Sequence, residues 1–235
     1  MSRPLPLLLI PVLVLVVLLQ GCAATEPARP FRLKDLAKSD IDMVADENIL
    51  AVNALVRELA IKLYKRNPRE LKKAPAGMTL NRRLHQLLDS PRQINHPELG
   101  SRYGTDAMPL VFDPEFKGDR VFALMIGISG MLHASYSYRN EFFLLDEIDQ
   151  QKLYNSARNL EAVAWRLNNL RTPEGRLFLL TNGVSETGVS NLSFERIFGK
   201  LIAHQDLMAK IVANKTNRTI SNVVVGFAST TLLPI

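Results

Sequence analysis

The stretch RVFALMIGISGMLHASYSY, residues 120–138, decides the fold. From Val121 to Tyr138 it carries no formal charge, and it follows Asp119, a good helix-capping residue. A helix that is apolar on every side lies at the centre of a core or in a membrane. The length just reaches what a bilayer requires. His133, three serines and two tyrosines dilute it, however, and favour a buried central helix. Ala123 and Gly127, and Gly130 and Ala134, put small residues four apart, so neighbouring segments can approach closely.

Helices that could wrap this one lie on both sides. Ser39-Asp40-Ile41-Asp42 reads as a capped helix start, and apolar residues from Ile41 to Tyr64 recur every 3.6 positions until Asn67-Pro68 stops them. A shorter helix is predicted from Thr79 to Asp89. Pro91, Pro97, Gly100, Gly104, Pro109 and Pro114 make residues 90–118 a long irregular connection, a length often functional. Asp146 to Asn169 is amphipathic, and a last helix starts near Ser193 and reaches toward Ala228, with a break expected at 214–217. Its apolar face includes His204, Val223, Val224 and Phe227. The uncharged tail, residues 220–235, is too short to span a membrane and is expected on the core. Leu177–Leu180 is a candidate strand for pairing with Leu110-Val111-Phe112. The expected fold is all-α, a bundle of about five main helices with room for one short two-stranded β pairing.

Composition agrees. The chain has 235 residues, 47% hydrophobic and 22% charged, with a formal net charge of +6. That is ordinary globular make-up, for one domain or at most two. A single cysteine excludes an internal disulfide framework, a cysteine zinc site and a CxxC redox pair.

The N-terminus reads as an address. Arg3 is the only charge before Glu26, and residues 5–19 are almost continuously apolar, as in an export signal. The run ends at Leu19-Gln20-Gly21-Cys22, which resembles the lipobox of bacterial lipoproteins. The resemblance implies a diacylglycerol thioether on Cys22, cleavage before it and acylation of the new terminus. Ala23, in place of a retaining aspartate, implies the outer membrane, facing the periplasm. Residues 1–21 are then a signal peptide, 22–38 a lipidated tether and 39–235 a single helical domain. The runs Leu153–Trp165 and Asn191–Leu201 resemble uncharacterised proteobacterial lipoproteins, which implies no activity.

Catalytic and metal motifs are missing. His85, His96, His133 and His204 form no HExxH pattern, and none has a carboxylate three residues before it. His85 and Asp89 read as a surface pair, His133 as half-buried with a hydrogen bond to a neighbour, and His204 as a satisfied core histidine. Gly127-Ile128-Ser129-Gly130 falls one residue short of a nucleophile elbow. Glu186 with Glu141 or Asp146 is the one carboxylate pairing suited to glycan cleavage. No catalytic residue, metal or cofactor is assigned. Tyr154 to Glu161 concentrates polar residues on one helix, with Arg158 and Glu161 spaced to pair and Trp165 beyond them as core or anchor.

Charge placement is the feature that stands out. Lys62, Lys65, Arg66, Arg69, Lys72, Lys73, Arg82 and Arg83 lie within 22 residues, opposed only by Glu70. Cations at a helix end account for part of this; the rest reads either as a solvated basic face or as contact with an anionic surface. The expected partners are the membrane, through the lipid, and anionic lipid or an envelope protein; nucleic acid is disfavoured by the compartment. The expected function is a binding or scaffold protein. A lipid or small-hydrophobe carrier built on residues 121–138 is the alternative, and an envelope glycan hydrolase the third.

Overall fold

A computed structural model of the chain describes residues 37–89, 91–184, 188–221 and 231–235. Cys22, Glu186, Val223, Val224 and Phe227 lie outside the described residues.

Helix α1 (Asp40–Arg66) begins in a capping box: the Ser39 hydroxyl accepts from the Asp42 amide, and the Asp42 carboxylate accepts from the Ser39 amide. Asn67 ends it, and Pro68 opens the single turn α2 (Pro68–Leu71). The hydroxyl of Thr79 caps α3 (Leu80–Leu88). Helix α4 (Arg120–Ser135) starts where the Asp119 carboxylate accepts from the Phe122 amide at 2.9 Å. Helices α5 (Gln150–Asn169) and α6 (Ser193–Thr216) complete five main helices. Strands β1 (Gly183–Val184) and β2 (Ser190–Asn191) form the one antiparallel pair among the described residues. The fold is all-α with a short β pairing.

Helix α4 is the axis. Every residue from Val121 to Leu132 is buried, and α1, α3, α5 and a 3-10 segment pack around it. Helix α6 lies along α5 and α1. At about 1.5–3 kcal/mol for each large apolar side chain fully buried, Phe122, Leu124, Met125, Ile126 and Ile128 make α4 a major source of cohesion. No helix among the described residues is long and apolar enough to cross a membrane.

Several boundaries differ from expectation, each for a local reason. Residues 90–118 are not one irregular loop: they contain 3-10 helices at Pro97–Leu99 and Gly104–Phe112. The second lies on α4 because Gly127 and Gly130 leave room; a Cβ on Gly130 would sit 2.9 Å from the Gly104 backbone. Leu110–Phe112 is therefore helical and does not pair as a strand with Leu177–Leu180. Phe112 meets Phe178 ring to ring, at 5.9 Å between centroids, while the side-chain amide of Asn67 donates to the Leu180 carbonyl and accepts from its amide. Leu177 instead bridges to Arg171.

Helix α4 stops at Ser135 rather than Tyr138, because Ser137 and Tyr138 adopt left-handed backbone and the Tyr138 amide turns back to the His133 carbonyl. Helix α5 starts four residues late. Asp146 closes a turn onto the Phe143 amide, and Asp149 supplies the cap. Asn217, at φ +50°, ends α6, a conformation asparagine tolerates. Lys38, placed in the tether by composition, is buried between Asp46 and Glu141, so the folded unit starts by Ala37.

In the tail, Leu232 and Ile235 pack on the main core. The polar face of α5 holds them: Asn155 donates to the Pro234 carbonyl, and Asn159 both donates to and accepts from the Leu233 backbone. Arg158 pairs with Glu161 as its spacing suggested, and also reaches Asp206 on α6 at 2.7 Å. Trp165 is half-buried.

Candidate functional site

The eight predicted basic residues do not form one patch. Arg83 is fully buried: its guanidinium makes two 2.6 Å bonds to the Glu98 carboxylate, lies 3.4 Å from Asp119 and stacks 3.6 Å from the centre of the Phe122 ring. It is a structural ion, and as an anionic-surface contact it is corrected. The spacing allows this, because Arg83 falls beside Leu80, Leu84 and Leu87 on the inner face of α3. Nearby, the Tyr64 hydroxyl donates to Asp119, and burial raises the pKa of both groups. Lys62 pairs with Glu58, and Arg82 donates to the Gly77 carbonyl. Lys65, Arg66 and Lys72 are exposed.

Arg69 and Lys73 are gathered into something more specific. They line a crevice of about 740 Å³ that also receives Lys117 from the approach to α4, Arg120 from its first turn, and Arg176 from the turn after α5. Against these five cations the walls carry two carboxylates, Glu70 and Glu174. Glu70 is already engaged: one oxygen accepts from the Arg120 amide at 2.8 Å and the other pairs with Lys73 at 2.6 Å. Glu174 lies 3.8 Å from Arg176, and both are exposed, so that pair is weak.

Arg120 forms the floor. Its guanidinium donates to the carbonyls of Phe116 and Asp113 and lies 5.6 Å from the ring centres of both Phe116 and Phe178. Burial lowers its pKa. A cation in the first turn of a helix opposes the macrodipole, so Arg120 is placed against local electrostatics. That misplacement was readable from Asp119-Arg120 at the start of the apolar run. Lys117 and Arg176 carried no such signal, because only the chain's return after α5 brings them near Arg69. Cations around an aromatic floor fit an anion attached to an apolar body.

The remaining candidates fall elsewhere. His85 and Asp89 are exposed and 2.9 Å apart. His96 is buried, with Nε2 on the Gln93 carbonyl and its ring edge-on to Phe122. His204 Nδ1 meets Asn48 Oδ1 at 2.6 Å. His133 is half-buried as expected, but neither ring nitrogen meets a hydrogen-bond partner, because α4 ends at that turn and the chain leaves left-handed. Glu141 pairs with Lys38, and Asp146 with Arg139 at 3.0 Å, so both serve the fold. Among the described residues no three His, Cys, Asp or Glu side chains are grouped to hold a metal ion. No protein-family model, curated protein or solved structure matches the chain.

Proposed function

We propose that the chain is a lipid-anchored bacterial envelope protein that acts by binding rather than by catalysis. The Cys22 diacylglycerol holds it at the outer membrane, and the crevice around Arg69, Lys117, Arg120 and Arg176 takes the phosphate-bearing part of an anionic envelope molecule. One observation carries this: five cations from three separate segments meet around one aromatic floor, with two carboxylates, one of them already committed to α4. Confinement to a surface makes a weak anion site effective, since it raises the local concentration of both partners. The exposed side chains Leu144 and Leu145 support residence at a membrane, as the Leu144 amide donates to the carbonyl of Ala37, where the described domain meets the tether.

Titration calorimetry of pyrophosphate into the detergent-solubilised lipoprotein tests the crevice. The expected result is saturable binding that weakens with salt and falls at least about ten-fold when Arg69, Lys117 and Arg176 are replaced together by glutamine. Binding unchanged in that variant would exclude the crevice as the site.

A further inference from the structure

Crevice and cations lie at the start of α4; a second, chemically different recess lies at its end. It measures about 610 Å³ and is lined by Arg92, Tyr103, His133 and Tyr138, with Pro91 and Ile94 as apolar wall. Both His133 ring nitrogens, the Tyr103 hydroxyl and Arg92 Nε are sealed from solvent, and none makes a hydrogen bond of good geometry: the Tyr103 hydroxyl faces only the Arg92 side chain, and His133 only the Tyr138 backbone. Buried polar groups in folded proteins are nearly always satisfied, so four such atoms in one recess need a cause.

Arg92 adds a second anomaly. Its Nη1 donates to the carbonyls of Leu87 and Ser129 and to the Ser129 hydroxyl, and its Nη2 donates to Asn53 Oδ1. All of these acceptors are neutral, and among the described residues no carboxylate lines the recess. A part-buried guanidinium is left with its charge uncompensated, unlike Arg83 with Glu98. The backbone around the recess is also strained. Of the four described non-glycine residues at positive φ, Ser101 and Tyr138 line it and Ser137 adjoins it. Such strain collects where a site over-determines the chain.

The charge count selects the ligand. Desolvation, reinforced by the Arg92 charge, holds the His133 pKa down to about 4, so the imidazole is neutral near pH 7. Arg92 is then the one formal charge among the described lining residues, which balances a monoanion and under-serves a phosphate dianion.

We propose that this recess binds a monocarboxylate with a compact apolar body. The carboxylate takes hydrogen bonds from the Tyr103 hydroxyl and Arg92 Nε, and His133 donates the third through whichever nitrogen carries its proton. The body lies against Pro91, Ile94 and the Tyr138 ring. Tyr138, exposed and edge-on to His133 at 5.5 Å between centroids, is the side chain that turns to admit it. This site is independent of the cationic crevice and of the lipid anchor.

The test follows the His133 ring nitrogens by NMR in the full-length protein, with benzoate as probe and inorganic phosphate as comparison. Benzoate is expected to shift those resonances saturably and phosphate to leave them in place. Tyr103→Phe, which removes a hydroxyl that only the Arg92 side chain faces and so keeps the fold, is expected to weaken benzoate about ten-fold or more. Tyr138→Ala removes both the gate and one apolar wall, and is expected to raise the benzoate off-rate. Absence of a benzoate shift, an equal response to phosphate, or undiminished affinity in Tyr103→Phe would each overturn the proposal.

Discussion

Arg92 reaches Ser129 in the middle of the central helix, donating to both its carbonyl and its hydroxyl, while that hydroxyl donates on to the carbonyl of Leu87 at the end of α3. One serine thus joins the 90s loop, α3 and α4. Ser129→Ala would leave the Leu87 carbonyl and Arg92 each one partner short in a buried setting. A loss of about 1–3 kcal/mol is expected, read from urea unfolding. A change too small to measure would show that the chain of bonds does not hold these segments together.

Gly130 faces the backbone of Gly104 with no room for a methyl group. In Gly130→Ala the 3-10 helix must move off α4, a repacking worth about 1–3 kcal/mol, and the Tyr103 side chain moves with it. Thermal unfolding checks the first effect, and the benzoate response of His133 the second.

Acid should destabilise the protein through His133. Its folded-state pKa, about 4, lies below the 6.5 of the unfolded chain, so below pH 6.5 the unfolded state binds a proton that the native state refuses. The stability that the neutral ring preserves is complete above pH 6.5, falls as pH drops toward 4 and levels out below that. His96 and His204 are depressed in the same direction by burial, so the His133 share is the difference between wild type and His133→Phe over that range. Parallel pH profiles for the two proteins would refute it.

Asn159 pairs with both backbone groups of Leu233. Asn159→Ala should free residues 231–235, raising their amide exchange, and cost about 1–3 kcal/mol, since the Leu233 amide and carbonyl lose their partners. Unchanged exchange at Leu233 would mean that the apolar contacts of Leu232 and Ile235 suffice.

The central helix was legible because its signal is one-dimensional: an uncharged run after Asp119 has few other places to go. Helix caps at Ser39, Thr79 and Asp119 were legible for the same reason, being local chemistry. The 3-10 helix at Gly104–Phe112 was not, because proline and glycine read as loop until Gly127 and Gly130 on another segment give them a surface to pack on. Of the basic run, Arg69 and Lys73 line the crevice proposed as the anion site, while Arg83 turns inward to Glu98. Charge alone does not say which way an arginine points; the leucines beside Arg83 do. The recess at the end of α4 was hidden because Arg92, Tyr103 and His133 are joined only in three dimensions, and the absence of a carboxylate partner leaves no mark on the sequence.

Native mass spectrometry of the lipidated protein, gently extracted from its own membranes, tests the central claim most directly. The account predicts a mature chain beginning at Cys22, with diacylglycerol on its sulfur and an acyl chain on its amino group, that carries a phosphate-bearing lipid or glycolipid, and predicts that Arg69→Gln, Lys117→Gln and Arg176→Gln together strip that mass away. An unprocessed chain would contradict the anchor, and a bare mature protein, or a bound molecule retained in the triple variant, would contradict the crevice.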